Sequence, residues 1–232
     1  MYEAVHVLEE GRTTTARFAA TLLDAGYDGM IVAADAEDTP TYDAAAVQAT
    51  YDVDLVDGLE ITSEDGSVVS GAVSNYRRET TVILVRGETQ SINRYAVETP
   101  AVDVLRDPTG GDGDVNHVLV KAAVSNDVFL EVNLGPALRT SGGPRVQALR
   151  KLRKLRELIE SFDAPYVVSA DPETHLQVRA PREIVAVGEE IGFSAAQIRA
   201  GFEAWETIVA RNRERLSEEY VGEGVRTGRD SV

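Results

Sequence analysis

Short apolar segments alternate with helical periodicities along nearly the whole chain, and this alternation restricts the fold more than any other feature. "HVLEEG" (His6 to Gly11) predicts an opening strand, and "TTARFAATLLDAG" (Thr14 to Gly26) predicts a helix with hydroxyls before it and glycine after. "GMIVAA", "VDLVDGLEIT", "TTVILVRG", "AVDVLRDP", "VFLEVNL" and "APYVVSAD" continue as strands. Between them fall helical stretches at "YDAAAVQATYD", "TQSINRYAVET" and "DVNHVLVKAAVSN", and a glycine and serine turn region at "SEDGSVVSGAVSN". "REIVAVGEEIG" and a long helix from Ala195 to Glu218, with Ser194 and Gln197 as a capping box, complete the pattern. Strands separated by helices run parallel, because each helix must carry the chain back across a face of the sheet.

About seven such repeats predict an α/β fold of the TIM-like (β/α) barrel type, incomplete or irregular in places, rather than an open sheet. Residues 1–218 form one barrel domain in this reading, and 219–232 form a disordered tail. Working residues of barrels lie in the loops after the strands. That rule places Arg86, Arg106, Arg139 and the region from Asp171 to Arg182 on one rim.

The chain carries a formal net charge of -16, yet Arg139, Arg145, Arg150, Lys151, Arg153, Lys154 and Arg156 follow one another with no acidic residue among them. Such asymmetry points to a local anion site within a solubilising acidic coat. Helical spacing puts Val146, Leu149, Leu152, Leu155, Ile159 and Phe162 on one stripe that packs on the sheet, with Arg150, Lys151, Arg153 and Lys154 opposite. The preceding loop, "GPALRTSGGPR", brings Arg139 and free amides to the start of this helix, with Pro144 at its first position. Several cations on one ridge suit repeated phosphates better than a small metabolite. Aromatic residues make up only 6% of the chain and none interleaves with the ridge, so structured RNA held by its backbone is expected, not stacked single strands. Only three of the 23 basic residues are lysine, an acidic, lysine-poor balance of the kind halophilic cytosolic proteins carry.

Other chemistries find less support. There is no cysteine, and no stretch approaches the roughly 20 apolar residues of a membrane span. The amino terminus has no secretory pattern, so a cytoplasmic location is expected. His6, His117 and His175 are scattered and read as structural, and no metal, P-loop or dinucleotide motif is spelled. Asp28, Glu60, Glu131 and Asp171 lie near strand ends and could form an acid and base pair or a magnesium site, although hydrogen bonding at the rim is the plainer role.

"SINRYAVETPAVDVLRDP" (Ser91 to Pro108), "NDVFLEVNLGPALRTSGGPR" (Asn126 to Arg145) and "YVVSADPETHLQVRAPREI" (Tyr166 to Ile184), with "AGYDGMIVA" (Ala25 to Ala33), resemble the archaeal and eukaryotic family of ribonuclease P protein component 3. The resemblance implies a barrel related to the polymerase and histidinol phosphatase phosphoesterases. His6 is the single histidine where those enzymes place an H-x-H pair. It further implies a subunit of the endoribonuclease that removes the 5′ leader from precursor tRNA, with cleavage and its Mg²⁺ belonging to the RNA and no cofactor on this chain. Partners implied are the ribonuclease P RNA, a small ferredoxin-like subunit and other ribonuclease P proteins. Arg94, Arg106, Arg139, Arg179 and Arg182 lie in the matching segments as RNA-binding candidates, beside Arg145, Arg150, Lys151, Arg153 and Lys154 from the charge pattern. The alternatives are a metal-dependent phosphoesterase working through Asp171 or Glu131, and a scaffold that binds an acidic protein.

Overall fold

The computed structural model describes residues 1–7, 13–35 and 40–217, and the backbone of 220–222 and 225–226. Seven strands pair in parallel in sequence order: β1 (Tyr2–His6), β2 (Gly29–Ala34), β3 (Asp54–Ile61), β4 (Val82–Arg86), β5 (Val104–Arg106), β6 (Phe129–Asn133) and β7 (Tyr166–Ser169). The connecting helices are α1 (Thr15–Ala25), α2 (Ala44–Tyr51), α3 (Gly66–Tyr76), α4 (Gln90–Glu98), α5 (His117–Asn126), the short α6 (Gly135–Arg139) and α7 (Gly142–Phe162). After β7 come α8 (Pro181–Glu190) and α9 (Ala195–Leu216). The result is the expected barrel, nearly closed.

Two apolar layers follow from the two-residue period of the strands. Val5, Met30, Val32, Leu55, Ile83, Val85, Leu130 and Val168 face outward into the larger core under the helices. Tyr2, Ala4, Ile31, Ala33, Val56, Val82, Leu84, Val104 and Val167 face inward and fill the barrel. Trp205, Ile208 and Val209 of α9 join this inner layer. That helix packs along β7 and β1, the two strands that do not pair with each other. Its Trp205 indole donates to the Val168 carbonyl at 3.0 Å, and the Asn212 amide donates to the Thr81 carbonyl and to Asp103. Gly201 permits the close approach, since a Cβ there would lie 2.4 Å from Val168 Cγ2.

The seam between β1 and β7 is bridged by a side chain. Glu3, 1% exposed, accepts from Ser169 Oγ at 2.7 Å and from the Ala170 amide at 3.1 Å, and the His6 amide donates to the Pro172 carbonyl. Burial pushes the Glu3 carboxyl up to about 7, against the hydrogen bonds from Ser169 and Ala170.

Several expectations need correction. The first strand is Tyr2–His6 and not His6 to Gly11, most of which lies outside the described residues. The glycine and serine stretch is helix α3: Asp65 caps it by accepting from Ser67, and Val69 and Val73 bury one turn apart. Part of the loop before the basic helix is α6, and α7 begins at Gly142 (φ 60°), so Pro144 is its third residue. The long last helix is described only to Leu216. Of the tail 219–232, a short antiparallel pair, Tyr220–Gly222 with Val225–Arg226, is described; the rest of that expectation lies outside the described residues.

Candidate nucleic-acid interface and the filled barrel mouth

At the carboxyl ends of the strands the inward period continues from apolar into charged residues. Arg86 and Arg106 are register partners on β4 and β5, two positions beyond Leu84 and Val104. His6, Glu60, Glu131 and Asp171 reach the same mouth. Arg106, 0% exposed, donates from Nη1 to Glu60 at 2.7 Å, from Nε to Glu131 at 3.2 Å and from Nη2 to Asp171. Arg86 donates from Nε to the other oxygen of Glu60 at 2.5 Å and from Nη2 toward Asp171 at 3.4 Å. His6 Nε2 lies 2.5 Å from Asp171 and 3.0 Å from Arg86 Nη2, while its Nδ1 lies 3.2 Å from Glu60.

Charge compensation governs protonation here. Burial works to raise the Asp171 carboxyl, but Arg106, His6 and Arg86 outweigh it and hold it well below the usual carboxylate range. Glu60 is lowered against the same opposition from burial, chiefly by Arg106. Glu131 goes the other way, because burial exceeds the pull of Arg106. For Arg106 burial would lower the pKa, and the surrounding Glu131, Glu60 and Asp171 reverse that and keep the guanidinium charged.

Every carboxylate oxygen of this cluster has a partner on the chain: the second oxygen of Glu131 accepts from the Asp107 amide at 2.7 Å, and that of Asp171 from Asn133 at 3.0 Å. Among the described residues no group of three His, Cys, Asp or Glu side chains is arranged to hold a metal ion. Asp28, named with these carboxylates above, is elsewhere, bound to the Met1 ammonium at 2.7 Å. His117 starts α5, and His175 Nδ1 meets Thr13 Oγ1 at 3.1 Å.

The RNA-binding candidates separate by what they touch. Arg106 is a correction: it is sealed inside the barrel because its strand carries the inward period to its last residue, and it cannot reach a ligand. Arg139 turns toward β7, donating to the Ala170 carbonyl at 2.7 Å with Asp171 at 3.9 Å, and so does not present its head to the start of α7. Arg94, 76% exposed, pairs with Glu98 one turn on, and Arg179 donates to the carbonyls of Leu176 and Val178.

Helix α7 buries Leu152, Leu155 and Ile159 as its spacing predicts, with Leu149 and Phe162 partly covered, but Val146 is 61% exposed. Residues 142–147 at the start of the helix are exposed, and Ala148 and Leu149 begin its contact with the core. Lys151 donates to the Thr109 carbonyl at 2.7 Å, Lys154 pairs with Asp114 at 2.5 Å, and Arg153 donates to the Glu190 carbonyl at 3.1 Å. Arg145, Arg150 and Arg182 are exposed, with no partner among the described residues. The buried network was partly visible beforehand: Glu60, Glu131 and Asp171 were candidates, but their pairing with Arg86 and Arg106 needed the strand register.

Fold and mouth together define a nearly closed (β/α) barrel whose mouth is filled by arginine and carboxylate pairs. A crystal structure of histidinol phosphate phosphatase from Lactococcus lactis, complexed with zinc, L-histidinol and phosphate, shares the fold at a TM-score of 0.53 and 8% identity, covering 83% of this chain and 94% of that one. A chain in the cryo-EM structure of archaeal ribonuclease P with mature tRNA superposes with a TM-score of 0.83 and 22% identity over 100% of both chains. The model of the family "RNase P subunit p30" matches residues 1–217. Ribonuclease P protein component 3 of Haloarcula marismortui is 51% identical over 231 residues, covering 100% of this chain and 98% of that protein. The chain belongs to the RNase P subunit p30 family. It is a protein subunit of ribonuclease P, an endoribonuclease of tRNA processing, and its acidic composition accords with its halophilic relatives. No helix among the described residues is long and apolar enough to cross a membrane.

Proposed function

We propose that this chain is a non-catalytic scaffold within ribonuclease P, supporting the RNA that removes the 5′ leader from precursor tRNA. The observation that carries this reading is the barrel mouth, where Arg86 and Arg106 engage the carboxylates that a metal-dependent phosphoesterase would offer to its ions. A guanidinium supplies fixed positive charge to the cluster but no exchangeable site for a water nucleophile. The Mg²⁺ of the reaction is assigned to the RNA, and the neighbours of this chain to that RNA, a small ferredoxin-like subunit and the other ribonuclease P proteins. The location is cytoplasmic. RNA contacts fall to the outward cations, with Arg94, Arg179 and Arg182 secondary to α7.

Reconstitution tests the reading. Adding the purified chain to ribonuclease P RNA and the remaining subunits should raise precursor tRNA cleavage, while the chain alone with Mn²⁺ or Zn²⁺ should leave a generic aryl phosphodiester intact. Metal-dependent turnover by the isolated chain, abolished by Asp171→Asn, would establish a phosphoesterase instead.

A further inference from the structure

The positive charge of α7 is divided between two tasks. Lys151 and Lys154 are anchored on the loop between β5 and α5, through Thr109 and Asp114, and Arg153 reaches the end of α8 at Glu190. Arg156 pairs with Glu160 one turn on and donates to the Gly192 carbonyl at 3.5 Å. These four side chains fasten the helix to its surroundings. Arg145 and Arg150 have no such partner among the described residues, and they flank Val146, the most exposed apolar residue of the helix.

At 100° per residue, Val146 and Arg150 lie on the outward face opposite the buried Leu155 and Ile159, while Arg145 borders the buried stripe on the exposed first turn. No acidic residue occurs in α7 before Glu157. In a chain of net charge -16, leaving two arginines uncompensated on an otherwise uncovered face gives up local ion pairs that abundant carboxylates could have supplied. That arrangement fits an external anion.

We infer that the projecting tip of α7 is the RNA contact of this chain, with Arg145 and Arg150 each taking a backbone phosphate and Val146 lying against the intervening ribose. Lys151, Arg153 and Lys154 are positioning residues that hold the tip out from the barrel. The inference rests on the ribonuclease P reading and names the part of the chain that carries it. A sugar-phosphate backbone suits the face better than an acidic protein segment, because exposed planar guanidinium forks bind phosphate oxygens two at a time and need no apolar anchor.

The test measures binding of the wild-type chain and its variants to ribonuclease P RNA, with the other protein subunits present, across a potassium chloride series. Arg145→Gln with Arg150→Gln should weaken binding about tenfold per residue at low salt and reduce the slope of log K against log[salt] by about two in all. Val146→Glu, at a site exposed enough to leave folding intact, should weaken binding similarly without moving the melting temperature. Lys151→Gln with Lys154→Gln should lower the melting temperature and leave the salt slope within about half a unit of wild type. Wild-type binding that is unaltered in the double arginine variant and in Val146→Glu would overturn the inference alone. Failure of the wild-type chain to bind RNA in any assembly would overturn the ribonuclease P reading as well. Loss of a protein subunit from the arginine variant before RNA is added, with RNA affinity retained, would assign the tip to a protein and overturn the inference.

Discussion

Replacing Glu3 with glutamine should change how the stability of the barrel depends on pH. In the folded chain this carboxyl lies in the seam between β1 and β7, where burial moves its pKa from an ordinary 4.5 to about 7. Between those values the folded state binds the proton that the unfolded state has released. The contribution of Glu3 to stability is therefore complete below pH 4.5 and is lost as pH rises through 7. The interval corresponds to about 3 kcal/mol at 25 °C. Because Glu3 is 1% exposed, solvent screening takes little from that figure. Glutamine keeps an oxygen for the Ala170 amide and offers its own N–H to Ser169, and it does not titrate. Urea unfolding at fixed molar potassium chloride, run from pH 5 to pH 8 on both proteins, isolates the effect, since other titrating groups cancel in the difference. The wild-type chain should lose about 3 kcal/mol relative to Glu3→Gln across that range, or roughly 6 to 12 °C in melting temperature. Parallel stability curves for the two proteins would refute the assignment of the buried proton to Glu3.

Two further outcomes follow from the packing. Arg106→Leu leaves Glu60, Glu131 and Asp171 crowded without their central cation, and should destabilise by about 3 to 5 kcal/mol in thermal or urea unfolding at pH 7; a loss confined to acid pH would contradict the charge argument. Gly201→Val places methyl groups into Val168 and Tyr166 and should cost about 1 to 3 kcal/mol, with altered near-ultraviolet dichroism from Trp205, whereas the same change at Gly71, which has nothing within 4 Å of its Cβ position, should leave that signal unmoved.

Much of the barrel was legible because the signal was local. "GMIVAA" became β2 without change of boundary, and Thr14 and Gly26 ended α1 as their chemistry requires. Helix α3 was hidden because its serines and glycines imitate a turn, while two valines one turn apart supply its burial. The candidate surface was less legible, since charge alone does not tell an inward arginine from an outward one. Arg106 and Arg145 are equally basic in the sequence. One ends a buried strand among three carboxylates, and the other stands on a helical turn beyond the reach of any. Even within α7, the separation of Lys151 from Arg150 depends on a loop some forty residues earlier, at Thr109.

The wall of this barrel is completed by groups far apart in sequence. β1 has its one strand neighbour, β2, close by in sequence, but the groups that receive Glu3 and the helix that covers the gap lie at 169–170 and 195–216. Without that last helix, a chain exposes Ala4, Ile31 and Val167 along an open cleft. Such a chain would carry an adhesive apolar seam, which Trp205, Ile208 and Val209 close in the folded protein.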